Sequence, residues 1–142
     1  MARFAAVQVN ETDAINVLAD LSNFSAAYAY TALTSASPTL TAAQMLGGIV
    51  NVSGQTAAQN VTTPTATEIV AAIPNCQIGS SFEFVLQNAN TSSGAATVVA
   101  GTGVTLTATT AVPITKTQIY RGIVTNATTP AVRLVGLLTA PV

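Results

Sequence analysis

Histidine and tryptophan are absent from this 142-residue chain, cysteine occurs once, and only 6% of the residues are charged. An ordinary soluble domain carries about 25% charge. Each shortage closes a class of function. Without histidine the commonest general base and metal ligand is gone, so a hydrolase triad or a zinc site has no parts to be built from. Four cations in all (Arg3, Lys116, Arg121, Arg133) and a net charge of −1 argue against a phosphate-tracking surface and hence against nucleic acid. A single cysteine, Cys76, forms no intrachain disulfide and is expected as a small buried apolar side chain. No unbroken apolar run approaches the roughly 18–20 residues of a membrane helix. The opening Met1-Ala2-Arg3-Phe4-Ala5 runs into Gln8, Asn10, Glu11 and Asp13, which is no signal-peptide core. The chain therefore reads as made in a cytoplasm and unprocessed, with no membrane partner.

What is present is alanine, threonine, valine and glycine in short apolar runs between polar turns. Hydrophobic residues make up 49%, so the positive mean hydropathy of +0.52 reflects missing charge rather than extra apolar bulk. A chain of this length buries a core as one domain without disulfides or a metal. Near-neutrality leaves little repulsion between copies, which points to a surface covered by other subunits. Six Asn-x-Ser/Thr triplets begin at Asn10, Asn23, Asn51, Asn60, Asn90 and Asn126. With threonine this abundant and no export signal, they read as polar loop and strand residues.

The organisation changes near Leu40. Four of the nine charges (Arg3, Glu11, Asp13, Asp20) fall in the first twenty residues. Residues 2–9 alternate loosely as a strand or extended arm, and Asn10 with Asp13 suggests the start of a short helix. Residues 22–37 read as an irregular or extended connection that Pro38 ends. The division expected is an arm over residues 1–39 and a β-rich domain over 40–142. Thr41-Ala-Ala-Gln44 and Thr65-Ala-Thr-Glu68 are capping boxes, each opening a short helix. Gly47-Gly48 stops the first, and Pro74-Asn75 ends the second.

The remainder reads as strands: 49–53, 60–63, 81–88, 96–100, 104–108, a short edge at 113–115, 117–126 and 131–138. In the third, Phe82, Phe84 and Leu86 point one way while Glu83, Val85 and Gln87 point the other. Gly101-Thr102-Gly103 between two strand runs predicts a hairpin rather than a phosphate loop, which would need a following helix. Strands every 8–12 residues with Gly/Pro/Asn turns between them indicate an antiparallel β-sandwich or barrel. No internal repeat is present.

Candidate chemistry is thin. Glu68 and Glu83 form the only carboxylate pair worth weighing as a glycosidase-like dyad, but one sits at a capping position and the other on a polar strand face. Arg121 and Arg133 are expected to be solvated or paired with a single acid such as Glu83. Tyr28 and Tyr30 share a face at strand spacing, as an interface anchor or a sugar-stacking platform. No catalytic, cofactor-binding or metal-ligating residue is assigned.

Several stretches carry a resemblance. They are Leu40-Thr-Ala-Ala-Gln-Met-Leu-Gly-Gly-Ile-Val50, then Thr67-Glu-Ile-Val-Ala-Ala-Ile-Pro-Asn75, then Ile78-Gly-Ser-Ser-Phe-Glu-Phe-Val-Leu-Gln-Asn88. Ala96-Thr-Val-Val-Ala-Gly-Thr-Gly-Val-Thr-Leu106 and a late strand near Tyr120-Arg121 follow. Over residues 40–135 the chain resembles the capsid decoration (cement) and head-fibre proteins of tailed bacteriophages. That resemblance implies a jelly-roll-like β domain, a homotrimer on the outer surface of the head, the major capsid protein as partner, and no enzymatic residues. It implies a capsid contact by the N-terminal arm, placed here at Arg3, Phe4, Val7 and Val9. It implies trimer packing by the strands around Phe82, Phe84 and Leu86 with Tyr120 and Leu134 from the last two. The alternative is a head fibre or tail module that adheres to a host-surface glycan. Physics supports assembly on separate grounds: uncharged sheet edges are aggregation hazards unless covered, and a closed ring of subunits covers them.

Overall fold

A computed structural model of the chain describes residues 29–92, 94–107 and 111–141. The arm residues Arg3, Phe4, Val7 and Val9, the helix expected from Asn10, and Tyr28 lie outside them. The described chain is mainly β, with nine strands and two short helices. In order they are β1 (Ala29–Leu33), α1 (Ala42–Leu46), β2 (Gly48–Val52), β3 (Gln59–Thr62), α2 (Ala66–Ala72), β4 (Ser81–Asn88), β5 (Ala96–Val99), β6 (Val104–Thr107), β7 (Ala111–Val112), β8 (Lys116–Asn126) and β9 (Ala131–Pro141). They form a six-stranded sheet of order β1-β2-β4-β8-β9-β6 and a three-stranded sheet of order β3-β5-β7.

Both helices start as their sequences require. The Thr41 hydroxyl accepts from the Gln44 amide at 3.2 Å while the Gln44 side chain accepts from the Thr41 amide at 2.9 Å. Thr65 and Glu68 repeat the exchange at 3.2 and 2.8 Å. Asn75, at φ 51, turns the chain out of the second helix in the left-handed region that asparagine tolerates. Each helix drives one large side chain inward, Met45 and Ile69, both fully buried.

The expectation of an antiparallel fold is corrected: the sheets are mixed. β1 with β2, β2 with β4, β3 with β5 and β6 with β9 are parallel, while β4–β8, β5–β7 and β8–β9 are antiparallel. Parallel neighbours need a crossover rather than a tight turn. Residues 34–47 with α1 supply one between β1 and β2, and residues 53–80 with β3 and α2 supply the next. The extended connection expected before Pro38 thus contains a sheet strand, β1. Pro38–Leu40 then runs beside β3, with the Thr62 amide donating to the Pro38 carbonyl at 2.9 Å.

The hairpin expected at Gly101-Thr102-Gly103 does not form. β5 belongs to the small sheet and β6 to the edge of the large one, so this turn carries the chain between sheets. Its polar groups are taken by neighbours: the Gly101 amide donates to the Thr63 hydroxyl at 2.8 Å, and the Thr102 carbonyl accepts from the Ala66 amide at 2.8 Å. A Cβ on Gly101 would stand 2.5 Å from the Pro64 carbonyl oxygen, and Gly103 has φ +79. The glycines are there because the turn is pressed against the start of α2. The short strand expected at 113–115 is displaced to β7, because Pro113 has no amide to pair. The last two strands pair as expected, across a turn in which Asn126 Oδ1 accepts from the Thr128 and Thr129 amides at 3.0 Å each.

One apolar cluster joins the two sheets. Val50, Val52, Phe84, Leu86, Tyr120, Val124, Val132 and Leu134 of the large sheet pack with Val61, Ala96, Val98 and Val112 of the small one. Phe84 and Tyr120, directly paired across β4 and β8, stack at 5.1 Å between ring centroids. Six polar side chains are also buried among the described residues, Asn51, Gln59, Thr63, Asn88, Asn90 and Gln118, and Asn88 at the end of β4 bridges the two sheets. The Asn88 Nδ2 donates to the Val112 carbonyl at 2.9 Å and to the Gly94 carbonyl at 3.0 Å. Its Oδ1 accepts from the Asn90 amide and side chain at 3.2 and 2.9 Å, and Asn90 Oδ1 accepts from the Gln55 amide at 2.7 Å. A fully buried amide side chain therefore links β4 to the small sheet and to two loops. Replacing Asn88 with alanine leaves the buried Val112 carbonyl and the part-buried Gly94 carbonyl without this donor. Chemical denaturation of Asn88→Ala is expected to show a loss of about 2–4 kcal/mol, beyond that of a surface Asn→Ala control.

Candidate functional site: the outer face of the large sheet

The side chains expected at a trimer contact sit elsewhere. Phe84, Leu86, Tyr120 and Leu134 are each no more than 1% exposed within a single chain. Strand alternation is as read, but the side chosen faces the core, so the surface these residues were to lend a partner is already used inside the chain. Phe82, half-buried, belongs to the same inward set: its ring lies over Gly122, where an added Cβ would stand 2.2 Å from Cζ. Burial also pushes the Tyr120 phenol well above the usual tyrosine range, so it stays neutral.

The opposite side of the same strands is the exposed feature. In the paired register Tyr30, Ile49, Val85 and Ile119 form one row across β1, β2, β4 and β8. Beside it run Glu83, Arg121 and Val135, then Ser81, Ile123, Arg133 and Thr105. Of the five exposed large apolar side chains among the described residues, three (Tyr30 at 60%, Ile119 and Ile123) lie on this face. A fourth, Leu137, is the extra residue at a bulge opposite Ile119 and Tyr120. The fifth, Ile78, is in the loop before β4.

The charges on this face nearly cancel. Glu83 Oε1 accepts from Arg121 Nε at 2.9 Å and also contacts Nη2, across directly opposed positions of β4 and β8. The expectation that a strand cation pairs with Glu83 holds for Arg121. Arg133 has no acidic partner among the described residues. At the sheet's edge the Ala29 amide donates to the Gly47 carbonyl and the Leu33 carbonyl accepts from Ser53. Parallel pairing therefore turns the backbone groups of Tyr30 and Ala32 outward, and β1 has neither charge nor proline to guard them.

Elsewhere the polar side chains have local tasks. Glu68 is held by Thr65, whose amide and hydroxyl both donate to its Oε2 at 2.8 Å. Those hydrogen bonds, the backbone one first, hold its carboxyl below the ordinary glutamate value. Glu68 and Glu83 are thus committed to different partners rather than to each other. Cys76 is half-buried against the core. Among the described residues no three His, Cys, Asp or Glu side chains gather as a metal site, and no helix is long and apolar enough to cross a membrane.

The outer face was hidden from sequence by its composition. Gln118-Ile119-Tyr120-Arg121-Gly122-Ile123-Val124 is apolar at both parities, so period-2 reading cannot tell which set faces the core. The one available signal was Ile119 and Ile123 flanking Arg121, which puts large apolar residues on the charged side of β8. No family model matches the chain, and no curated protein or solved structure matches it either.

Two measurements check these assignments. Leu134→Ala is expected to lower folding stability by about 2–5 kcal/mol as a core truncation, read by urea denaturation at a fixed protein concentration. For Glu68, a carboxyl depressed in the folded state contributes stability that is complete above its unfolded pKa and lost as pH falls through the folded one. Carboxyl NMR should place its midpoint below that of a free glutamate, about 4.3, and Glu68→Gln should flatten the acid limb of the stability curve.

Proposed function

We propose that this chain is a structural virion protein, a decoration or cement protein on the outer surface of a tailed-phage head. In this reading its two sheets form a jelly-roll-like sandwich that assembles as a homotrimer and stabilises the shell by bridging neighbouring capsomers. It acts by burial of apolar and backbone-bonding surface, with no chemistry of its own. The observation that carries the reading is a β domain with an exposed sheet face on which Tyr30, Ile119 and Ile123 stand around one internal ion pair and one further cation. Such a face costs solubility unless something covers it. The resemblance over residues 40–135 supplies the biological setting, and the N-terminal region around Arg3, Phe4, Val7 and Val9 is assigned the contact with the major capsid protein. Three such arms on one trimer would turn weak single contacts into firm attachment.

A host-glycan adhesin is less well supported. Of the aromatic rings whose side chains are described, Tyr30 is widely exposed, while Phe82, Phe84 and Tyr120 turn inward. A sugar platform normally needs more than one ring with amides beside it.

The test is sedimentation of purified protein with expanded, undecorated phage heads. Saturable co-sedimentation at a fixed number of copies per head is the expected result. Absence of binding across a range of heads, together with specific hits on a glycan array, would replace this reading with the adhesin.

A further inference from the structure

We propose that the outer face of the six-stranded sheet, centred on Ile119 and Ile123 with Val85 and Ile49 beside them, is the surface through which copies of this chain contact one another. The inference rests on the self-association in the functional reading above and assigns it to a face opposite the one first expected.

Three observations select a second copy as the occupant. The first is size. Six strands about 4.8 Å apart, with β4 contributing eight residues at about 3.3 Å each, outline a face of roughly 600 Å². Side-chain relief brings this near the ~800 Å² that each partner buries in a standard interface.

The second is charge. Glu83 and Arg121 neutralise each other within the chain, and Arg133 near the β6 edge is the face's one charge without an ionic partner among the described residues. A nucleic acid, an anionic membrane or an acidic protein would be recognised by clustered cations, and the face carries none. An apolar, nearly neutral surface is matched by another of the same kind, and a net charge of −1 leaves two copies almost without repulsion.

The third is continuity. The face runs without a break to β1, whose outward backbone groups at Tyr30 and Ala32 are free of charged or proline guards. A copy seated on the face would shield that edge as well, which removes the aggregation hazard of an open strand.

The contact region is thus an apolar row with one internal ion pair, half-exposed in the single chain, beside it. Its energetic centre is Ile119 and Ile123, because large apolar side chains near the middle of an interface dominate its affinity.

The experiment uses the full chain. Light scattering with size exclusion gives the mass of the wild type, of Ile119→Thr/Ile123→Thr and of Ile119→Lys/Ile123→Lys, with circular dichroism as the check on folding. The threonine pair keeps β propensity, so it reports on contact even if the lysine pair unfolds. The wild type is expected to associate, with both Ile119 and Ile123 methyls shielded from a soluble paramagnetic probe. The threonine pair should weaken association by about 30-fold or more. A wild type and a threonine pair that associate equally would overturn the assignment of this face while leaving self-association intact. A monomeric wild type would overturn self-association itself. A monomer with shielded methyls would show instead that another segment of the same chain covers the face.

Discussion

The fold depends on one constraint: two sheets of different size must share a largely apolar core, and a fully buried amide at the end of β4 ties them together. There Asn88 reaches across, with one amide proton on the Val112 carbonyl of the small sheet, the other on the Gly94 carbonyl of the loop before β5, and its oxygen on Asn90. The large sheet supplies Phe84, Leu86, Tyr120 and Leu134 to the interior and the small one Val61, Val98 and Val112. Apolar contact is non-directional and would allow the sheets to slide. A satisfied buried amide does not, because displacement leaves its partners without hydrogen bonds in a medium where that is costly. The parallel crossovers follow from this arrangement: a chain that visits both sheets between neighbouring strands cannot use two-residue turns.

Filling the interior from one side of β4, β8 and β9 fixes what the other side must be. Once Phe84, Leu86, Tyr120 and Leu134 turn inward, Val85, Ile119, Ile123 and Arg133 turn outward. In most antiparallel sheets that outward set is polar. Here the outward set mixes Val85, Ile119 and Ile123 with Arg133 and with Glu83 and Arg121, which satisfy each other. Both acidic side chains among the described residues have local tasks. Glu68 closes a capping box and Glu83 holds an arginine across a strand pair. Three of the five charged side chains among the described residues, Glu83, Arg121 and Arg133, lie on this outward face, so its near-neutrality comes from the ion pair and its apolar character from Tyr30, Ile119 and Ile123.

Much of the local structure was legible. Both capping boxes, the glycine and asparagine helix stops, the alternation of Ser81–Asn88 and the final strand pair all rest on interactions between residues close in sequence or on a strict period. The failures have a common cause. Gly101-Thr102-Gly103 looks like a hairpin turn, but its geometry is set by Thr63 and Ala66, more than thirty residues earlier. β1 was read only as an extended connection, because Ala29–Leu33 becomes a strand by pairing with β2 beyond a helix. The residues first assigned to trimer packing were chosen for being large and apolar, the property that also makes a core.

By itself the sequence determined the class and the limits: a β-rich chain with short helices, no histidine chemistry, and no charge pattern with which to read a polyanion. These follow from composition and from interactions within a few residues. Only the tertiary structure decided which parity of each strand faces the core, which strands run parallel, and where the uncovered apolar surface lies. Those depend on contacts between residues tens of positions apart. In a strand such as β8, where large apolar residues stand at both parities, no local period distinguishes the buried face from the exposed one.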